Sequence, residues 1–173
     1  IPRFYDIQSG TIRIDGKNIV HIPKQELRGK IGFVPQKAFL FSGTILDNFR
    51  HGKKDATMNE IRHAAQIAQI SDFIDALEEG YHSRVAQGGN NFSGGQKQRL
   101  AIARALVKRP EIYIFDDSFS ALDFKTDAKL RAALKKEVKD AAVILVAQRI
   151  STIMDADQIV VLDEGRVAGI GTH

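Results

Sequence analysis

The chain has 173 residues, 43% of them hydrophobic, which is enough for one sizeable core or for an α/β core with a small subdomain. Its 25 Lys and Arg residues are scattered among 21 Asp and Glu residues, which favours a mixed solvated surface over a concentrated nucleic-acid patch. It has no cysteine and no run of about 18 apolar residues, which excludes disulfides, cysteine-ligated metals and a membrane span.

The first 36 residues predict two short strands. Residues 1–8 have the pattern of a helix end that runs into a loop, and residues 11–14 that of a strand entering a tight turn at residues 15–16. Residues 31–35, IGFVP, form a short apolar strand with Gln36 directly after it. Taken alone, Gln36 would be an ordinary surface glutamine.

Residues 57–77 predict two amphipathic helices without a catalytic grouping. Thr57 and Glu60 form a capping-box pattern at the start of the first helix, and the second continues through Leu77. Residues 80–89 are predicted to be a loop. Three histidines lack ligand-like spacing, so surface roles are favoured over metal binding for His51, His63 and His82.

Residues 91–117 combine a possible anion site with a carboxylate site. Ser93, Gly94 and Gly95 open a helix, where a hydroxyl, free backbone N–H groups and the helix dipole favour an anion such as phosphate. After that helix, a buried strand over residues 112–115 leads to two carboxylates that are suited to Mg²⁺ at the carboxyl end of a parallel sheet, Asp116 and Asp117.

The helix that follows the glycines also carries basic residues. They lie largely off its apolar stripe and are Lys97, Arg99, Arg104 and Lys108. A basic helix can contact nucleic acid, but no aromatic residues are interleaved with these side chains and they form no concentrated patch. Nucleic-acid binding therefore stays open as the less favoured reading.

The last 50 residues predict a helix and three strands. The helix lies around residues 130–138, a buried strand at 143–146 leads to Gln148, and another buried strand at 158–162 precedes a turn and a final short strand. Because strands alternate with helices along the chain, we expect a mainly parallel sheet.

Residues 91–123 together resemble the nucleotide-binding domain of ATP-binding-cassette transporters. They match its signature SGGQ-x-QR, its Walker B strand and, at Ser120 to Asp123, its D-loop. The resemblance implies an α/β fold, a P-loop NTPase of RecA type with a helical subdomain and a small antiparallel β portion. Residues 1–36 and 109–173 would form the core, and residues 37–108 the helical subdomain.

The resemblance also implies ATP and Mg²⁺ as ligands. Asp116 would hold Mg²⁺, Gln36 would sense or bind it, and Asp117 and Gln148 would occupy the catalytic positions. The residues that face ATP held by a partner domain would be Ser93, Gly94, Gly95, Gln96 and Asp123. The implied partners are a second nucleotide-binding domain, arranged head to tail, and the coupling helices of a membrane domain.

Two segments resemble the exporter type of transporter. They are FSGTILDN at residues 41–48 and RVAQGG at residues 84–89. The resemblance places the chain at the cytoplasmic face of a membrane. Phe39, Phe41 and Phe49 could belong to the surface that receives a coupling helix, and a core position is equally good for each of them.

Three departures from the family weaken this site. The residue after the Walker B aspartate is normally glutamate, but here it is Asp117; the histidine of the switch region is replaced by Gln148. A shorter carboxylate and a neutral amide are typical of the degenerate half of a heterodimeric exporter. Residues 1–173 also contain no match to the Walker A pattern G-x-x-x-x-G-K-[ST].

The chain begins at Ile1 and ends after residues GTH, so we expect it to be cut from a longer protein. The strand that precedes Walker A in the family lies between the strands predicted at 143–146 and 158–162. We therefore expect these two strands not to pair directly. Two alternatives remain: a soluble ATPase of the same type that acts on nucleic acid, and a structural partner without its own activity.

Overall fold

The computed structural model describes residues 1–173, which form nine strands and seven α-helices. The strands are β1 (Arg13–Ile14), β2 (Lys17–Asn18), β3 (Ile31–Val34), β4 (Gly43–Thr44), β5 (Arg84–Val85), β6 (Ile112–Asp116), β7 (Ala142–Val146), β8 (Ile159–Asp163) and β9 (Arg166–Gly171). The helices are α1 (Lys24–Gly29), α2 (Ile45–Gly52), α3 (Met58–Ile67), α4 (Ser71–Asp75), α5 (Gly94–Val107), α6 (Phe124–Glu137) and α7 (Ile150–Ile153).

The central sheet has three parallel strands in the order β3-β6-β7, which confirms the prediction of a mainly parallel core. Side chains alternate across β6, the middle strand. Tyr113 and Phe115 join a cluster of 29 buried residues together with α2–α6, whereas Ile112 and Ile114 join a cluster of six buried residues on the opposite face. Both faces of β6 are therefore buried, as its continuous apolar run predicts.

The outer edge of β7 has no partner strand. The β8–β9 hairpin forms a separate sheet, so the expectation that β7 and β8 do not pair directly is confirmed. The prediction that the strands at residues 143–146 and 158–162 are both buried is wrong. Val146 on β7 is 52% exposed, and Leu162 on β8 is 68% exposed. Pairing on one edge only leaves the apolar side chains and backbone groups of both strands accessible.

Two local predictions are corrected by long-range contacts. Residues 1–8 are not helical; Arg3 donates to the carbonyl oxygens of Ile19 and Ile22, each at 3.1 Å, and holds this segment against the 3-10 turn there. Residues 80–89 are not only a loop, since β5 pairs antiparallel with β4. Neither arrangement has a local sequence signal, because each partner lies far away along the chain.

The helical part of the molecule is packed around α5. Gly52, the last residue of α2, lies against α5 so closely that an added Cβ would overlap the carbonyl oxygen of Arg104 and lie 3.0 Å from Cγ1 of Val107. The absence of a side chain therefore permits the contact between these two helices.

We expect Gly52→Ala to lower the free energy of unfolding by about 1–3 kcal/mol, because the new methyl group forces α2 and α5 apart. Gly29→Ala is the matched control, since Gly29 also ends a helix and a Cβ there meets nothing within 4 Å. Urea denaturation of both variants measures the difference. Equal midpoints for the two variants would contradict this account of the α2–α5 contact.

Three helices begin with a reciprocal capping box. The pairs are Thr44 with Asp47 at α2, Thr57 with Glu60 at α3, and Ser93 with Gln96 at α5; the prediction for Thr57 and Glu60 is thus confirmed. Each box satisfies two backbone N–H groups at a helix start. The Glu60 carboxylate also accepts a hydrogen bond from Nζ of Lys53 at 2.6 Å.

The hydrogen bond from Lys53, followed by the backbone N–H of Thr57, lowers the pKa of Glu60 from 4.5 to about 2. A lowered folded-state pKa contributes stability above the unfolded-state value, and this contribution is lost as the pH falls from about 4.5 towards 2. We therefore expect Glu60→Gln to be less stable than the unchanged chain at pH 7 and the difference to shrink across that window. Denaturant titrations at several pH values would show a constant difference if Glu60 titrated normally.

Candidate functional site

The predicted residues Gln36, Asp116, Asp117 and Gln148 follow three neighbouring strands at the carboxyl end of the central sheet. Gln36 lies after β3, Asp116 ends β6 with Asp117 next to it, and Gln148 follows β7. Nε2 of Gln36 donates to Oδ2 of Asp117 at 3.2 Å. The sheet therefore brings together side chains from positions 81 residues apart at the edge where parallel sheets bind ligands.

Asp117 has a constrained backbone. Its φ of +44° lies in the left-handed region, where residues other than glycine are uncommon. Its N–H donates to the carbonyl of Val146 at 2.8 Å, and its own carbonyl accepts from Oγ of Ser120 at 2.8 Å. These bonds hold the strained conformation and direct the Asp117 carboxylate towards Gln36.

Two side chains that were not predicted as functional support the loop carrying Gln36. Gln98 on α5 is 2% exposed and donates from Nε2 to the carbonyl of Pro35 at 3.2 Å. Ser118 is fully buried and donates from Oγ to the carbonyl of Val34 at 2.8 Å. The position of Gln98 on the same helical stripe as buried Ile102 was a usable signal for it, whereas Ser118 had none.

The residues predicted to bind an anion lie at the start of α5. Oγ of Ser93 accepts from the N–H of Gln96 at 3.2 Å, and Oε1 of Gln96 accepts from the N–H of Ser93 at 2.8 Å. The N–H groups of Gly94 and Gly95 have no partner within the helix, as at every helix start. A Cβ on Gly94 would meet nothing within 4 Å, so the backbone there is open to an approaching ligand.

Asp123 has a structural role at the start of α6. Its Oδ1 accepts from the N–H of Thr126 at 2.9 Å, and this hydrogen bond lowers the pKa of the carboxyl group. A Cβ on Gly95 would lie 3.4 Å from the carbonyl oxygen of Ala121, so the first turn of α5 contacts the turn before Asp123. A role of Asp123 towards a nucleotide stays a prediction.

The basic residues of α5 mostly contact the protein itself. Arg104 donates to the carbonyl of Phe39 at 2.9 Å, and Lys108 donates to the carbonyl of Ile31 at 2.7 Å. Arg99 donates to the carbonyl of Gln69. Burial lowers the pKa of all three side chains. Their charges hold α5 against neighbouring loops and do not form an open basic stripe.

The three aromatic residues of the exporter-like segment have different environments. Phe49 is 1% exposed and belongs to the core, whereas Phe39 and Phe41 are 51% and 42% exposed. The exposed rings meet edge to face, with centroids 5.4 Å apart, and the guanidinium of Arg104 lies 5.2 Å from the Phe41 ring. Only Phe39 and Phe41 are therefore accessible to a docking partner.

The donor set at the sheet edge fits a magnesium ion that is shared with phosphate oxygens. No group of three or more His, Cys, Asp or Glu side chains is placed to hold a metal. Asp116 offers a carboxylate and Gln36 an amide oxygen, both hard oxygen ligands, and Mg²⁺ usually takes one or two such ligands alongside water and phosphate. Of His51, His63 and His82, His63 contacts a carboxylate: its Nε2 lies 3.0 Å from Oε2 of Glu137, which joins α3 to α6 and not to the sheet edge.

The helices of this chain are too short or too polar to span a bilayer. A family model described as ABC transporter matches residues 1–120. An uncharacterized ABC transporter ATP-binding protein of Mycobacterium tuberculosis is 48% identical over 176 residues, covering 100% of this chain and 30% of that protein. Human ATP-binding cassette sub-family B member 6 is 46% identical, covering 99% of this chain and 20% of that protein.

A similar solved structure is that of a bacterial Atm1-family ABC exporter with ATP bound. It superposes with a TM-score of 0.96 at 44% sequence identity, covering 99% of this chain and 30% of that one. The chain thus spans 30% or less of the length of these relatives.

Proposed function

Because the chain belongs to the ABC transporter family, we propose that it is the ATP-binding and ATP-hydrolysing domain of an exporter that couples ATP to transport across a membrane. The observation that carries the proposal is the contact between Gln36 and Asp117, which joins the loops after β3 and β6 beside Asp116. Likeness to a solved exporter supports the direction of transport.

In this proposal the chain's own residues bind the nucleotide and its metal. Asp116 and Gln36 hold Mg²⁺, which supplies positive charge to the phosphate oxygens. Asp117 and Gln148 take the positions of the base and of the γ-phosphate contact. The helix start formed by residues 93–96, together with Asp123, faces ATP held by the partner domain.

The site is proposed to be weak in hydrolysis. Asp117 is shorter than glutamate by one methylene, and its carboxylate accepts a hydrogen bond from Gln36. Gln148 donates hydrogen bonds but cannot carry a positive charge. Loss of general-base assistance typically lowers the rate by about 10²–10⁴-fold. The chain would then serve as the degenerate half of an asymmetric pair.

The proposed partners follow from the same assignment. A second nucleotide-binding domain packs head to tail on the surface around Ser93, and a coupling helix of the membrane domain docks near exposed Phe39 and Phe41. Residues 1–36 and 109–173 act as the ATPase core and residues 37–108 as the helical subdomain. The domain would lie at the cytoplasmic face of the membrane.

The proposal is tested with the protein that carries this chain, purified and reconstituted in lipid vesicles with its partner. Mg-ATP hydrolysis should depend on both subunits, and added DNA or RNA should leave it unchanged at low and high salt. Salt-sensitive nucleic-acid binding with stimulated hydrolysis would instead identify a soluble-type ATPase that acts on nucleic acid.

A further inference from the structure

We propose that Arg149 is a positioning residue that fastens the loop carrying Gln148 to the turn between Asp117 and Asp123. Its Nη2 donates to the carbonyl oxygen of Ser120 at 3.0 Å, across 29 residues of sequence. The guanidinium carbon also lies 5.4 Å from the ring centre of Phe124, the first residue of α6. Arg149 thus contacts both ends of the Ser120–Phe124 region.

The contact at Ser120 completes a row of hydrogen bonds across three loops. Gln36 donates to the Asp117 side chain, and Oγ of Ser120 donates to the Asp117 carbonyl. The Ser120 carbonyl in turn accepts from Arg149, which is adjacent in sequence to Gln148. The row therefore joins the loops that follow β3, β6 and β7: the backbone bond from Asp117 to Val146 reaches the last residue of β7, and the Arg149 side chain reaches the turn from beyond Gln148.

A second contact fixes α7, the short helix that follows this loop, to α6. Arg131 donates from Nη1 to the carbonyl of Ser151 at 2.8 Å and from Nε to Oδ1 of Asp127 at 3.1 Å. Asp127 is 2% exposed, so its carboxylate holds Arg131 in one direction. With Val146 held by Asp117 and Ser151 held by α6, the side-chain contact from the Gln148 loop to Ser120 is the one that Arg149 makes.

Arg149 also has an unused donor. Its Nη1 is buried and has no hydrogen-bond partner, although a buried N–H of a charged group is costly to leave unpaired. Solvent does not reach Nη1, so it supplies no hydrogen bond to replace the missing one. The guanidinium is held by its contacts with Ser120 and Phe124. Such a side chain is suited to transmit a displacement because it has few alternative positions.

The inference rests on the proposed function in one respect, which is that the loops after β3, β6 and β7 form a nucleotide site. It is tested by residue-level amide hydrogen exchange on the protein that carries this chain, with and without Mg-ATP. The reporters are the N–H groups of Ser120 and Leu122 in the turn and of Thr152 in α7, which follows the Gln148 loop and donates back to the carbonyl of Arg149. Ile61 on α3 serves as a distant reference.

Arg149→Met keeps an unbranched side chain, although a shorter one, and removes all of its hydrogen-bond donors. Exchange at Ser120 and Leu122 should then become about tenfold faster, Arg149→Lys should restore part of the protection, and the reference at Ile61 should not change. Lys129→Met is the control, because Lys129 is an exposed cation on α6 without a hydrogen bond or ion pair. In the unchanged protein Mg-ATP should slow exchange in both segments, and in Arg149→Met only at Thr152.

Faster exchange confined to Thr152 would overturn the inference, since it would show that Arg149 stabilises only its own loop. If Arg149→Met also loosens Ile61, the Arg149→Lys protein decides: slower exchange at Ser120 than in Arg149→Met by a larger factor than at Ile61 would support the inference, and the same factor at both residues would overturn it. If Mg-ATP alters exchange nowhere while Arg149→Met still loosens Ser120, the proposed function fails and the link between the two segments stands.

Discussion

Gly94→Ala is expected to abolish most ATP turnover in the assembled transporter while leaving this chain folded. A Cβ at Gly94 meets nothing within 4 Å of its own chain, and alanine is favoured over glycine in a helix, so folding should not suffer. The methyl group would instead obstruct the approach of the partner's ATP to the N-terminus of α5. Removing one hydrogen-bond donor from a reacting group lowers the rate by about 10²–10³-fold. We expect a loss of similar size here, because the methyl group would keep the phosphate away from the N–H donors of the helix start.

Asp117→Asn is the opposite arm of this experiment and should change turnover by less than about twofold, because general-base assistance at this chain's own site is proposed to be weak. Ser93→Ala should also lower turnover strongly, but it removes a helix cap worth about 1 kcal/mol. Thr57→Ala is the matched control, since it removes the same kind of capping box from α3.

Steady-state hydrolysis rates of the purified assemblies decide the question. If Asp117→Asn lowers turnover as much as Gly94→Ala does, this chain's own site is catalytic and the degenerate assignment is wrong. If Thr57→Ala matches Ser93→Ala, the effect at Ser93 comes from lost helix stability.

The 173-residue chain by itself is expected to bind Mg-ATP weakly, with a dissociation constant above the micromolar range. None of its segments matches the loop that surrounds the β- and γ-phosphates with backbone N–H groups and a lysine. Hydrogen bonds to charged groups contribute about 1.5–3 kcal/mol each, so the loss of a few of them lowers affinity by about 10³-fold or more. Isothermal titration calorimetry on chain shown to be folded by circular dichroism measures this.

A longer piece of the parent protein that supplies such a loop should bind Mg-ATP in the micromolar range. The unpaired edges of β7 and β8 offer the place where its strand would enter the sheet. Asp116→Asn in that longer protein is the control and should weaken binding of Mg-ATP more than binding of metal-free ATP. A tight stoichiometric isotherm from the 173-residue chain alone would contradict the prediction.

The amino-acid sequence determined those features whose signals are local. The Thr57 capping box, α5 starting after Ser93, the apolar run of β6 and the tight turn at Asp15 and Gly16 are all present as predicted. Each of these features depends on residues that are close together in sequence, whose conformational preferences and local hydrogen bonds determine the backbone there.

The resemblance to an ABC transporter nucleotide-binding domain could also be recognised from the sequence. The residues that carry it lie at fixed short spacing around the start of α5 and the end of β6. The absence of direct pairing between β7 and β8 followed from the same resemblance. The sequence did not show that β7 is exposed. The apolar run of β7 resembles that of β6, but only β6 is covered by neighbouring elements on both faces.

Only the tertiary structure decided which side chains meet across long distances in sequence. Gln36 contacts Asp117 across 81 residues, and Gln98 contacts Pro35 across 63. For Phe41 and Phe49 the sequence left core and surface positions equally open, yet Phe49 is buried and Phe41 is 42% exposed. Such contacts depend on how helices and strands pack in three dimensions, and packing is set by the whole core and not by the residues next to each partner.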